Sequence, residues 1–191
     1  MFNTLYNLGS KILIATGSGR ANDIIIDVEN STFTCNKVRK PFPVELLGAT
    51  GGLIKGQIPF ICGGRYRSPS RRYSRDCYNL NEAGAWMKDQ TAVLNTARNY
   101  AGTGYAVINN KLVLSGGSGR LQSIELVSPN GRSKTLSVQL PFGLWLHCSI
   151  KWDSETFMII GGMDKKFRKR AGTYFINVRT NTLKNGPSLI N

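Results

Sequence analysis

A single histidine in 191 residues limits the chemistry this chain could do. His147 stands beside Cys148, and a cysteine in contact with an imidazole can serve as an activated nucleophile or share a metal ion. On a strand, however, successive side chains point to opposite faces, so neighbours in sequence are separated in space. The expectation is therefore one of the two buried and the other exposed. A histidine-rich metal site or a pair of histidine bases needs a second imidazole, so no catalytic, metal or cofactor site is assigned and the chain is read as a non-enzyme. Cations are the abundant chemistry, 25 Lys and Arg against 11 Asp and Glu for a net charge of +14. They are clustered: Arg65, Arg67, Arg71, Arg72 and Arg75 fall in one stretch, Lys165, Lys166, Arg168, Lys169 and Arg170 in another, and Arg20 and Arg120 stand alone. Such charge either draws acidic partners or is solvated loop charge, and the elements that carry it decide between the two.

Those elements are short strands. Four segments join an apolar run to glycine: Ile12-Leu13-Ile14-Ala15-Thr16-Gly17, Pro59-Phe60-Ile61-Cys62-Gly63-Gly64, Leu112-Val113-Leu114-Ser115-Gly116-Gly117 and Met158-Ile159-Ile160-Gly161-Gly162. The closing glycines recur at intervals of 47, 53 and 45 residues, so the chain is an internal repeat. Before each apolar run stands a turn, such as Lys55-Gly56-Gln57 or Asn109-Asn110, and before that an earlier strand, the pattern of a tight hairpin. After each glycine come a polar loop and a third strand, over 23–28, 76–80, 122–127 and 173–178. A fourth strand follows, marked by Trp86 in the second repeat, with Phe33 and Leu183 in its place in the first and last. No run is long and apolar enough to cross a membrane, and the start lacks the features of a secretory signal, which leaves cytoplasmic and extracellular settings open.

Double glycine, polar loop, strand and then tryptophan resembles the signature of the kelch-repeat β-propeller superfamily, whose period is about 50 residues. Phrases such as Ala49-Thr50-Gly51-Gly52-Leu53, Asp76-Cys77-Tyr78 and Thr173-Tyr174-Phe175 are similar to those of kelch-like proteins abundant in aquatic invertebrates. The resemblance implies an all-β fold of about four blades, each of four antiparallel strands, over approximately 1–40, 41–92, 93–141 and 142–191 of a single array. It departs from the pattern at Thr16-Gly17, where the second glycine is missing, and in the third repeat, which lacks the tryptophan. Kelch-like propellers usually carry six or seven blades, so four imply a partial propeller or a fragment whose ends associate with further blades or a second copy. The copper radical oxidases of this superfamily need two histidines, which this chain does not have.

Under that architecture Cys62 and Cys77 lie on neighbouring antiparallel strands and could be cross-linked, clipping the loop between them; two buried thiols in a reducing compartment explain them equally. Antiparallel order places the loops between second and third strands on one face, together with the connections between blades. Arg20, Arg65, Arg67, Arg71, Arg72, Arg75, Arg120, Lys165, Lys166, Arg168, Lys169 and Arg170 would then form a positive face, joined by Arg39, Lys40 and Arg98 from the connections. The function expected is a protein-interaction scaffold that binds an acidic partner through that face. A polyanion- or glycan-binding adhesion module is the alternative, and substrate recognition for a ubiquitin ligase a distant one, since the BTB domain it would need is absent. The loops lack the interleaved aromatics of single-stranded nucleic-acid binders, so no nucleic-acid partner is assigned.

Overall fold

Alternating apolar positions in short segments, punctuated by Gly and Asn turns, can satisfy their backbone groups only by pairing with neighbours in sequence. The computed structural model of the chain shows that outcome. It describes residues 42–67, 72–100, 106–118 and 121–190 in full and, before residue 42, the backbone of four strands. Those strands, β1 (Asn3–Asn7), β2 (Lys11–Thr16), β3 (Ile24–Glu29) and β4 (Thr32–Lys37), form the first sheet in chain order. A two-residue strand β5 (Leu46–Leu47) leads into the second sheet, β6 (Thr50–Ile54), β7 (Ile58–Cys62), β9 (Asp76–Leu80) and β10 (Trp86–Val93). Strand β8 (Arg65–Tyr66) pairs with β5 in a small sheet of its own, which the repeat pattern did not foretell. The third sheet is β11 (Ala106–Ile108), β12 (Lys111–Ser115), β13 (Ile124–Val127) and β14 (Lys134–Thr135). The fourth is β15 (Cys148–Lys151), β16 (Thr156–Ile160), β17 (Thr173–Asn177) and β18 (Thr182–Asn185). All four are antiparallel meanders, and no helix occurs among the described residues.

The turns supply the register. Asn109 and Asn110 (φ 50° and 57°) adopt the paired left-handed conformations that fit a two-residue hairpin to strand twist, and Lys55 and Gly56 (φ 52° and 70°) adopt the same pair within a three-residue turn. The first strands of the sheets lie side by side in the order β1, β6, β11, β15. Just before β15 the Leu146 amide donates to the Tyr100 carbonyl (3.3 Å), and before β11 the Tyr100 amide donates to that of Gly48 (2.7 Å). These three equivalent residues all have positive φ, although only one of them is glycine.

The core lies between sheets. Phe60 and Cys62 of the second sheet pack on Leu112, Leu114 and Val127 of the third. Val113 and Leu126, on the opposite face of the third sheet, belong to the cluster of Phe157, Ile159 and Ile176 in the fourth. Trp86 fills the outer gap against Phe42 (ring centroids 5.1 Å apart), which also meets Tyr78. Leu183 faces Ile176 at the place Trp86 holds opposite Leu80, as expected, whereas Phe33 pairs with Val28 nearer the hairpin end of its sheet.

In the second and third sheets the double glycines couple the sheet to the connection that follows. Gly63 has φ 73°, and a Cβ there would sit 2.6 Å from the Arg98 carbonyl, so any side chain would push the two sheets apart. The Gly64 amide donates to the same carbonyl, and in the next repeat the Gly117 amide donates to that of Leu144.

Arg98, expected on the positive face, is instead fully buried. It occupies the position that Leu46 and Leu144 hold in the neighbouring connections, and each of those leucines shares a cluster with a tyrosine, Tyr78 or Tyr174. In the third sheet the tyrosine position holds Glu125, and the tryptophan position holds Ser133. The result is a buried ion pair between Arg98 and Glu125 in place of a Leu–Tyr contact. Arg98 also donates to the Gly116 and Ser123 carbonyls, while Glu125 accepts from the Asn95 and Thr96 amides (2.7 and 3.0 Å) and the Ser133 hydroxyl (2.6 Å). Buried charges persist only when paired and hydrogen-bonded in this way.

Candidate functional site: a basic loop face with an aromatic row

The loop after β16 is organised by one carboxylate. Asp164, 2% exposed, accepts from the Lys166 and Arg168 amides (2.7 and 3.1 Å), from Arg168 Nε (2.8 Å) and from the Arg170 guanidinium. Burial works against its ionisation, but the Arg168 amide and guanidinium, the Lys166 amide and the Arg170 guanidinium together hold the carboxyl well below its ordinary range. Arg170 also lies over the Phe142 ring at 4.5 Å, a cation–π contact. Arg168 and Arg170 are therefore structural: they shape the loop. Lys165, Lys166 and Lys169 are exposed and have no ion pair among the described residues.

Between these lysines the chain turns through Phe167, whose φ of 59° places a ring 72% exposed at the tip. The ring meets Trp145 edge-on (5.6 Å), and Trp145 meets Tyr100 (6.2 Å). Trp145 is half-buried and its indole Nε1 donates to the Asp164 carbonyl. The row Tyr100, Trp145, Phe167 thus runs from the connection before β11 out to the lysines. Aromatics do accompany the cations on this face, contrary to the expectation from the loops alone, because two of the three rings come from connections distant in sequence. Beside the row, Gln122, Phe142, Gly143, Lys165, Arg168 and Arg170 line an open depression of about 250 Å³.

The loop after β7 is held differently. Cys62 and Cys77, paired across β7 and β9, are joined as a disulfide at its base. Of its cations, Arg65 is half-buried in β8, Arg75 is exposed but donates through Nε to the Leu94 carbonyl, and Arg67 faces Glu45 at 3.9 Å. Arg72 is exposed without an ion pair among the described residues. Arg20, Arg71 and Arg120 lie outside the described residues. The Tyr73 and Ser118 hydroxyls, 2.9 Å apart, tie this loop to its counterpart in the third sheet, so the two share a face.

His147 lies just before β15 rather than in it and is buried, while Cys148, the first residue of that strand, is half-buried and free rather than exposed. His147 Nε2 lies 2.7 Å from the Ser115 hydroxyl, and burial lowers its pKa to about 4. This is the environment of an interior histidine that stays neutral, packed where the third and fourth sheets meet.

No protein-family model matches this chain, and no curated protein does. Among solved structures it is similar to the one titled "Structure of YjhT", with a TM-score of 0.80 and 13% identity over 98% of this chain and 65% of that one. The chain therefore spans less than two thirds of that structure's length. At such identity the likeness concerns the fold alone: an all-β, propeller-like array of four-stranded antiparallel sheets.

Proposed function

We propose that this protein is a kelch-type, non-catalytic scaffold that captures an acidic protein partner on its loop face. The observation that carries the reading is the tip of the 164–170 loop, where Lys165, Lys166 and Lys169 surround an exposed phenylalanine and have no ion pair among the described residues. Cations held on a loop beside a solvent-exposed ring offer both long-range attraction and a short-range anchor. The kelch assignment is supported by double glycines of positive φ that close on the following connection and by the tryptophan of the second sheet. The non-catalytic reading is supported by the burial of His147. The test is binding of a labelled poly-glutamate peptide across a salt series, for the chain and for a Lys165→Ser/Lys166→Ser/Lys169→Ser variant. We expect affinity that falls steeply with salt and drops at least about tenfold in the variant; equal binding by both proteins would refute the role of this loop. Tighter, similarly lysine-dependent retention on heparin than on poly-glutamate would favour a polyanionic glycan instead.

A further inference from the structure

The second and third sheets bury one face against the sheet that follows, and register identifies the same positions in the fourth. The cross-strand pairs are Phe60 with Asn79 in the second sheet and Val113 with Leu126 in the third, the latter packed on the Phe157–Ile176 pair of the fourth. In the fourth sheet the corresponding pair is Met158 with Phe175, flanked by Ile150, which faces Met158. Here the burial differs. Phe60 and Val113 are fully buried, whereas Met158 and Phe175 are only half-buried, Ile150 is 37% exposed, and Trp152, edge-on to Phe175, is 61% exposed. Lys184, opposite Phe175, is no obstacle, because Lys134 holds the same place opposite Leu126 in the third sheet and that interface forms.

The mating position has a counterpart at the other end of the array. The pair that receives the preceding sheet is Leu112 with Val127 in the third sheet and Phe157 with Ile176 in the fourth; in the first sheet the register places Ile12 opposite Ile26. Both residues are apolar. We propose that two copies of this chain close head to tail, the Met158–Phe175 face of each fourth sheet seating on the Ile12–Ile26 register position of the other copy's first sheet. Two-fold symmetry repeats the contact, and eight sheets lie within the range of known propellers. The inference rests on sheet packing and is independent of what the loop face binds.

Sedimentation equilibrium of the 21.0 kDa chain tests it. The expected result is a dimer of about twice that mass, converted to folded monomer by Met158→Asp or by Ile12→Asp. Mixing the two variants should restore a heterodimer, since one intact contact remains between an unaltered fourth sheet and an unaltered first sheet. Ile150→Lys, at an exposed position of the same face, replaces Met158→Asp if that variant fails to fold. A monomeric wild-type chain, a dimer that survives these substitutions, a mixture that stays monomeric, or a ladder of growing polymers would each overturn the closed pair.

Discussion

Replacing Arg98 by leucine restores the residue found at the equivalent place in both neighbouring connections, yet it should be among the more damaging single changes. The guanidinium and the Glu125 carboxylate are both fully buried. Without Arg98, Glu125 keeps three neutral donors, the Asn95 and Thr96 amides and the Ser133 hydroxyl, but loses its only counter-charge among the described residues. Removing one member of a buried ion pair costs about 3–5 kcal/mol, and the surviving donors put Arg98→Leu near the lower end, about 3 kcal/mol. Glu125→Tyr alone strands the guanidinium and should cost a similar amount. The double substitution recreates the leucine and tyrosine pairing of Leu46 with Tyr78 and of Leu144 with Tyr174, so it should recover most of the loss, with a coupling of about 2–3 kcal/mol. Urea unfolding followed by tryptophan fluorescence measures all four corners of the cycle. Arg98→Leu within about 0.5 kcal/mol of wild type, or a double variant whose loss equals the sum of the singles, would refute the claim that the pair substitutes for an apolar contact.

Two further outcomes follow from the same core. Cys62→Ser/Cys77→Ser removes a cross-link that closes a separation of 15 residues, which the chain-entropy relation puts at about 3 kcal/mol; both half-cystines are buried, so in the native protein the bond should also resist dithiothreitol until denaturant opens the sheet. His147, neutral and buried with a pKa of about 4 against an ordinary 6.5, takes up a proton more readily in the unfolded chain. Its contribution is therefore complete above about pH 6.5 and is lost as pH falls toward 4, by roughly 3 kcal/mol at 1.36 kcal/mol per pH unit. Subtracting the pH–stability curve of His147→Asn from that of wild type isolates this slope, and parallel curves would contradict it.

The positions of the strands were legible because they depend on local signals. The turns at 55–57 and 109–110 impose left-handed conformations suited to Gly and Asn, alternation of apolar residues sets the faces, and the glycine recurrence sets the repeat. The disulfide was legible as one of two options for the same reason: Cys62 and Cys77 lie on strands that a short meander must place side by side. What local pattern could not give was the fate of individual charges. Arg98 reads as one more cation in a connection, and nothing near it in sequence announces Glu125 or the absent tryptophan at Ser133. A signal did exist in comparison between repeats, where Leu, Arg, Leu at one position runs in step with Tyr, Glu, Tyr at another.

The candidate site divides along the same line. Sequence alone determined that loops rich in lysine and arginine leave the same end of their sheets, since antiparallel order fixes which end each loop occupies. Only the tertiary structure decided which cations are available. Asp164 takes up Arg168 and Arg170, the Leu94 carbonyl takes up Arg75, and Lys165, Lys166 and Lys169 remain exposed beside Phe167. Likewise the row of Tyr100, Trp145 and Phe167 joins residues from three separate segments. Strand formation is driven by neighbours along the chain, whereas pairing of charges and stacking of rings depend on which distant segments the packed sheets bring within reach.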